Sequence, residues 1–461
     1  AADPSVVLLP RRRASSSGAA PARALALLAL GLFVGGCSCA QDQGWARAYE
    51  MTSLDEGIGG PKATARPQEE GHGGDFILEN DRVRFAILGT RVSIGPHTSG
   101  ASLMDADLQR NDPRYSQGKG LDQLAETFPT VNLNVQTADE TAGEVVILND
   151  GTDGGAAQIC TIGPEQSFIT LLDALWNFQW PGGRPKFYMR TDYILEPGDA
   201  AVLMRTAAIF SDDPSCEDDF EHQPLPGEED NLAIVQLALS NGAGGGLVFG
   251  DFYLQGGSVD VFTPDIGFDE STYVQGLIAE GVNTFDQPIK VDFLAGNADR
   301  VSYALAPDEG SLFVPMFTSS QTVAVGAGVE GDGTAERFSA GDGPFTYDRW
   351  FSVGRGDVGS AIEAIWEARG DTLGRIEGFV VEKGSGMPLS DVRVIVYRDG
   401  GDAPYMEWRT DVGDDTQLDG SFGGALPPGN YELLLHKEGL PDGPRVKAKL
   451  AANQTINAVL E

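Results

Sequence analysis

Hydrophobic residues occur along most of this chain in short runs, and many of the runs alternate with polar positions. In Val83-Arg84-Phe85-Ala86-Ile87 the alternation gives a strand one buried and one wet face. Runs of similar texture at residues 76–78, 83–88, 131–135, 145–148, 188–195, 201–210, 232–239, 301–305 and 323–325 predict further strands, each bounded by turn residues. So many short strands predict sheets packed on one another, and therefore a mainly β protein with a large β-sandwich. Two segments depart from the pattern. Residues 167–180 are apolar nearly all round and read equally well as a core helix or a buried strand. In residues 357–369, Asp357 stands at a cap position, Val358, Ile362, Ile365 and Trp366 fall at helical spacing, and Gly370 follows as a terminator. This predicts a short helix closing the large domain.

Beyond residue 371 the texture tightens into a second unit. Val392, Val394 and Val396 share one face of a strand, as do Tyr431, Leu433 and Leu435 of another. Asp419-Gly420 and Pro427-Pro428-Gly429-Asn430 supply turns between strands. About seven strands at this spacing predict a small Ig-like β-sandwich.

The N-terminus carries an address. Arg11, Arg12, Arg13 and Arg23 precede an apolar run from Ala24 to Val34, too short to remain as a membrane helix but suited to a secretory signal. It ends in Val34-Gly35-Gly36-Cys37, which resembles the bacterial lipobox. That resemblance implies cleavage before Cys37, lipidation of its thiol, and a place in the envelope, on the outer membrane of a Gram-negative bacterium. The domain reading is therefore a signal peptide over 1–36, a lipidated Cys37 with a flexible Gly/Pro-rich tether over 37–74, a large β-rich domain over 75–370 and a β-sandwich over 371–461. Export also suits disulfide formation, for which Cys160 and Cys216 are the candidate pair.

Charge narrows the partners. Among 461 residues, 68 Asp and Glu oppose 32 Lys and Arg, a formal net charge of −36, which repels phosphate backbones and excludes nucleic acid as a natural partner. The expected partners are a membrane, through the lipid, and a polysaccharide or an envelope protein.

Two further resemblances bear on fold and function. The C-terminal phrases GFVVEKGSGMPLSDVRVIVY and TQLDGSFGGALPPGNYELLLHKEG resemble the carboxypeptidase regulatory-like domain, a transthyretin-like or carbohydrate-binding-like sandwich that serves mostly as an accessory module. The phrases GGPKATARP, GDFILENDRVRFAI, ASLMDADLQ, TDYILEPGDAAVLMRT and YDRWFSVGRGDV resemble the non-catalytic N-terminal region of delta-proteobacterial exported hydrolases of the PHP metal-dependent type. In those proteins the catalytic domain would begin where this sequence stops, so the chain is either cut short or a relative without that domain. The TDY…LEPG segment is also similar to galactose-mutarotase-like supersandwiches, which implies a sugar enzyme as a further alternative.

No complete catalytic constellation accompanies these resemblances. His72, His97, His222 and His436 are widely separated, with no HxH pair or HExxH helix, and His72 and His97 read as loop residues. The acidic turns at 149–154 and 411–420 offer oxygen ligands for Ca²⁺, with Asp414, Asp415 and Asp419 as candidates, although Asp-Gly is first of all a turn signal. Tyr405 with Trp408 forms a candidate sugar platform, whereas Trp176 and Trp180 read as core. No cofactor is expected. The leading reading is a lipid-anchored, non-catalytic binding or scaffold protein with carbohydrate as the first ligand to test.

Overall fold

The structure, a computed structural model, describes residues 44–58, 65–68, 73–93, 100–110, 124–131, 134–139, 141–167, 187–209, 214–217, 249–255, 260–268, 279–280, 289–298, 300–319, 322–327, 345–412 and 418–461. The signal segment, Cys37, Cys39, His72, His97, His222, Asp414, Asp415, Trp176 and Trp180 lie outside these residues, as does the strand expected at 232–239.

Alternation of the expected kind builds most of the chain. In order, the strands are β1 (Ala46–Glu50), β2 (Phe76–Asn80), β3 (Val83–Ile87), β4 (Leu103–Leu108), β5 (Leu124–Val131), β6 (Asn134–Gln136), β7 (Glu144–Asn149), β8 (Ala157–Ser167) and β9 (Tyr188–Leu195). There follow β10 (Ala201–Ile209), β11 (Phe249–Gln255), β12 (Asp260–Phe262), β13 (Ile289–Val291), β14 (Leu294–Asn297), β15 (Ser302–Pro307), β16 (Leu312–Ser319), β17 (Thr322–Ala327) and β18 (Phe345–Gly354). Helix α1 (Val358–Ala368) comes next, then β19 (Gly374–Val380), β20 (Arg393–Arg398), β21 (Pro404–Arg409), β22 (Ser421–Leu426), β23 (Gly429–His436), β24 (Val446–Leu450) and β25 (Thr455–Leu460). The protein is mainly β.

Among the described residues, β1 to β18 form one hydrogen-bonded network. Its pairings resolve two antiparallel layers. The first runs β1-β2-β3-β4-β5-β11-β17-β16-β13. The second runs β7-β8-β9-β10-β18-β15-β14-β12. Strand β8 is the seam, since it also pairs with β6, the hairpin partner of β5. The layers meet on their inner faces, where Phe85 of β3 stands edge-on to Phe351 of β18 with ring centroids 6.3 Å apart. Tyr193 and Tyr303 of the second layer reach across to donate to the carbonyls of Ala101 and Ala106 at 2.7 and 3.1 Å.

The same interior holds a polar seam. Arg349 of β18 and Asp251 of β11 form a fully buried ion pair across the layers, with Nε 2.9 and 3.0 Å from the two carboxylate oxygens. Arg349 Nη1 donates to Met204 O and Thr206 Oγ1, Thr206 Oγ1 lies 2.9 Å from Thr191 Oγ1, and Gln136 of β6 bonds Thr161 beside them.

On the outer face of the second layer, small residues make a seat for α1. Ala201, Ala295, Ala304 and Ala306 share a core cluster with Val358, Ala361, Ile362, Ile365 and Trp366 of the helix. Methyl-sized side chains let a helix backbone lie close to a sheet. Asp357 caps it by accepting Ser360 N–H at 2.9 Å, and Gly370 ends it at φ +72°.

The far side of the helix carries a seven-stranded β-sandwich with sheets β22-β19-β25 and β21-β20-β23-β24. β19 and β25 pair in parallel, whereas the other pairings of this unit are antiparallel.

Two sequence expectations need correction. The stretch 37–74 is not all tether, because β1 pairs with β2 from Ala46 opposite Asn80 to Glu50 opposite Phe76, and Met51 and Ile58 are buried. Its buried strand residues are Ala46 and Ala48, which give a weak hydrophobic signal. The strand expected at 131–135 is a reversal instead. Val131 pairs directly with Asn134, so β5 ends and β6 begins within that run.

Candidate functional site

The outer face of the second layer next to α1 has a regular chemistry set by strand register. Leu203 of β10 stands opposite Ile194 of β9 and Trp350 of β18, and Trp350 stands opposite Ala306 of β15. One rung along, Arg205 stands opposite Asp192 and Asp348, and Asp192 opposite Cys160. Residues two apart share a face. An apolar rung bearing an indole therefore lies beside a charged rung. The intervening Tyr193, Met204, Arg349 and Phe351 are buried in the interior.

Each polar group on the strip is held. Arg205 Nε lies 2.9 and 3.0 Å from the Asp348 carboxylate oxygens and its Nη2 lies 2.6 Å from one of them, a forked charge-assisted pair. Those bonds raise the Arg205 guanidinium above its usual range, and the charges of Asp348, Asp192 and Asp308 add to the effect against the cost of burial. Trp350 Nε1 donates to exposed Asp308 Oδ1 at 2.7 Å, which fixes the indole plane. Deeper in the strip, buried Asp192 accepts Arg190 Nε at 2.8 Å and Gln158 Nε2 at 2.8 Å. Arg205 and Asp348 remain partly open, at 39% and 22% side-chain exposure.

The strip has a boundary on each side. Toward α1, Arg369 donates to Pro307 O at 2.8 Å and pairs with Asp371. On the other side Cys160 is disulfide-bonded to Cys216, with Cα atoms 5.9 Å apart across 56 residues of sequence. The Cys216 N–H donates to Glu144 Oε1 at 2.7 Å, so the 214–217 segment is tied to β7 as well as β8.

The residues singled out in the sequence fall elsewhere. Tyr405 and Trp408 do not make an exposed platform, for they are 3% and 1% accessible and belong to the core joining α1 to the sandwich. Trp408 is clamped between glycines: a Cβ on Gly359 would meet its Cδ1 at 2.3 Å, and one on Gly424 would meet its Nε1 at 2.6 Å. Tyr405 packs between Phe293, at 6.3 Å, and Tyr431, at 6.2 Å. His436 is partly exposed and bonds Asp442 at 2.7 Å, away from the strip.

Among the described residues of the acidic turns, side-chain oxygens are taken up by nearby backbone N–H groups. Asp411 Oδ1 accepts the N–H groups of Asp419, Gly420 and Ser421, and Asp419 Oδ1 accepts Ser421 N–H. In the other turn Asn149, Asp150 and Asp153 accept from Gly151, Thr152 and Gly155 respectively. Thr152, through hydroxyl and N–H, holds the Asp150 carboxyl below its ordinary value. Among the described residues, no group of three or more His, Cys, Asp or Glu converges as a metal site.

Sequence reasoning missed the strip. The available signal was charge and tryptophan interleaved within an apolar run, as in Tyr347-Asp348-Arg349-Trp350-Phe351.

No family model matches this chain, and no curated protein does. Among solved structures, an alpha-mannosidase from Enterococcus faecalis V583 is similar over 79% of this chain and 38% of its own, at 10% identity and a TM-score of 0.34. A glycosyl hydrolase family 38 protein from Enterococcus faecalis aligns over 81% of this chain and 39% of its own, at 8% identity and a TM-score of 0.32. The Slr1438 protein of Synechocystis sp. PCC 6803 is covered to 97%, against 63% of this chain, at 10% identity and a TM-score of 0.28. The chain thus spans well under half the length of the first two.

Proposed function

We propose that this chain is a non-catalytic binding protein of the cell envelope, with a carbohydrate as ligand and the Trp350, Arg205, Asp348 and Asp308 strip as its site. The observation that carries this reading is an indole fixed beside carboxylates and a guanidinium on one rigid sheet face. Sugars ask for both kinds of group. The C–H face of a pyranose ring packs on an aromatic plane, and its paired hydroxyls match planar, bidentate side chains. Strand-borne side chains already bonded to neighbours lose little freedom on binding. Three carboxylates surround Arg205, so the strip favours neutral glycans over uronic acids and phosphorylated sugars. The proposal also places the protein at the outer membrane of a Gram-negative bacterium through lipid on Cys37, as the Val34-Gly35-Gly36-Cys37 motif implies.

A glycan array followed by calorimetry tests the site. A neutral oligosaccharide should bind, and Trp350→Ala or Asp348→Asn should weaken it about tenfold or more without changing the circular dichroism spectrum. Silence across neutral glycans, or unaltered binding in both variants, rejects the assignment.

A further inference from the structure

The joint between the C-terminal sandwich and the rest of the molecule is built on carboxylates that each unit lends to the other. Asp357, 2% exposed, caps α1 with Oδ1, and its Oδ2 accepts the Arg409 N–H of β21 at 3.1 Å. Glu407, two residues earlier on β21 and 0% exposed, turns its Oε2 toward Val358 N and Asn297 Nδ2, both at 3.4 Å. Its other oxygen, Oε1, is buried without a hydrogen bond, and Arg393 Nε stands 3.9 Å from it. Two carboxylates thus converge on one helix N-terminus. The short donors there serve Asp357, and only long contacts remain for Glu407. An ionised carboxylate in that position would be a poorly solvated anion beside another.

We infer that Glu407 is protonated in the docked joint, and that its ionisation is a pH-sensitive latch which loosens the sandwich from α1 and β14 as pH rises. Two buried carboxyls side by side retain one proton as a pair. The groups facing Glu407 can be named element by element. The start of α1 presents Asp357, with Arg355 just before it acting on Asp357; β14 presents neutral Asn297; β20 presents Arg393; and β21 presents Arg409. Neither of the two arginines on the sandwich strands compensates fully. Arg393 is 39% exposed and lies over the Phe268 ring at 5.0 Å, and Arg409 is paired with Asp391 at 2.7 Å. Burial, followed by the charge of Asp357, pushes the Glu407 carboxyl up to about 7 from an ordinary 4.5. Burial raises Asp357 too. A carboxyl raised on docking contributes stability that is fully present below about 4.5 and is lost as pH climbs through about 7.

The test is amide hydrogen exchange on the full chain at pH 5 and pH 8, corrected for intrinsic rates, with Val358 and Arg409 compared against the amides of β9. In the native protein the relative protection of Val358 and Arg409 should fall about tenfold or more from pH 5 to pH 8. Glu407→Gln, which keeps the shape of the neutral acid, should hold that change below about twofold and exceed the native protection at pH 8. Asp357→Asn removes the neighbouring charge and should move the loss to lower pH, an independent reading if the glutamine variant does not fold. Equal loss in native protein and Glu407→Gln, a native joint insensitive to pH, or an unmoved window in Asp357→Asn would each overturn the latch.

Discussion

Arg349 has no solvent exposure, and its guanidinium is divided between a carboxylate on the opposite layer and a carbonyl and hydroxyl on its own. A buried pair of this kind is costly to desolvate and costly to break, because removing one partner strands the other charge. Arg349→Ala or Asp251→Asn should therefore destabilise the protein by about 3–5 kcal/mol in urea unfolding. The joint replacement Arg349→Met with Asp251→Leu should recover most of that loss. A double variant as unstable as either single one would refute the account. Alternation in Tyr347-Asp348-Arg349-Trp350-Phe351 sorts Arg349 with Tyr347 and Phe351, and Asp348 with Trp350. Both faces carry an aromatic residue and a charge. The run therefore reads as a strand, but which charge is buried and which is open depends on Asp251, 98 residues away.

Helix α1 shows the same division at the level of an element. Its start, end and apolar stripe were legible because a cap, a terminating glycine and 3.6-residue spacing are written within one short segment. Its two partners were not. The alanine seat comes from β10, β14 and β15, and the opposite side meets Trp408, 49 positions after Gly359. Gly359 is thus a spacer between helix and sandwich. Gly359→Ala should cost about 1–3 kcal/mol by overpacking, despite the better helix propensity of alanine. A thermal midpoint at or above that of the native protein would contradict the Trp408 clamp. The sugar platform expected at Tyr405 and Trp408 failed for this reason. A tryptophan between turn signals looks exposed until a helix arrives to cover it.

At the scale of the whole molecule, a chain of formal net charge −36 is repelled by anionic lipid surfaces, so association with a membrane has to come from elsewhere. The proposed source is Cys37. Expressed from its full reading frame in a Gram-negative host, the protein should fractionate with membranes, and Cys37→Ser should move most of it to the soluble fraction. An unmodified N-terminus by mass spectrometry would reject the anchor. What the sequence determined by itself is what neighbours along the chain decide: strand period, helix cap, turn positions and charge. Tertiary structure alone decided which sheet face is open, which tryptophan is buried, and that Asp357 and Glu407 meet. Those outcomes depend on packing between residues tens to hundreds of positions apart, and no local pattern records which of two similar faces a distant element will cover.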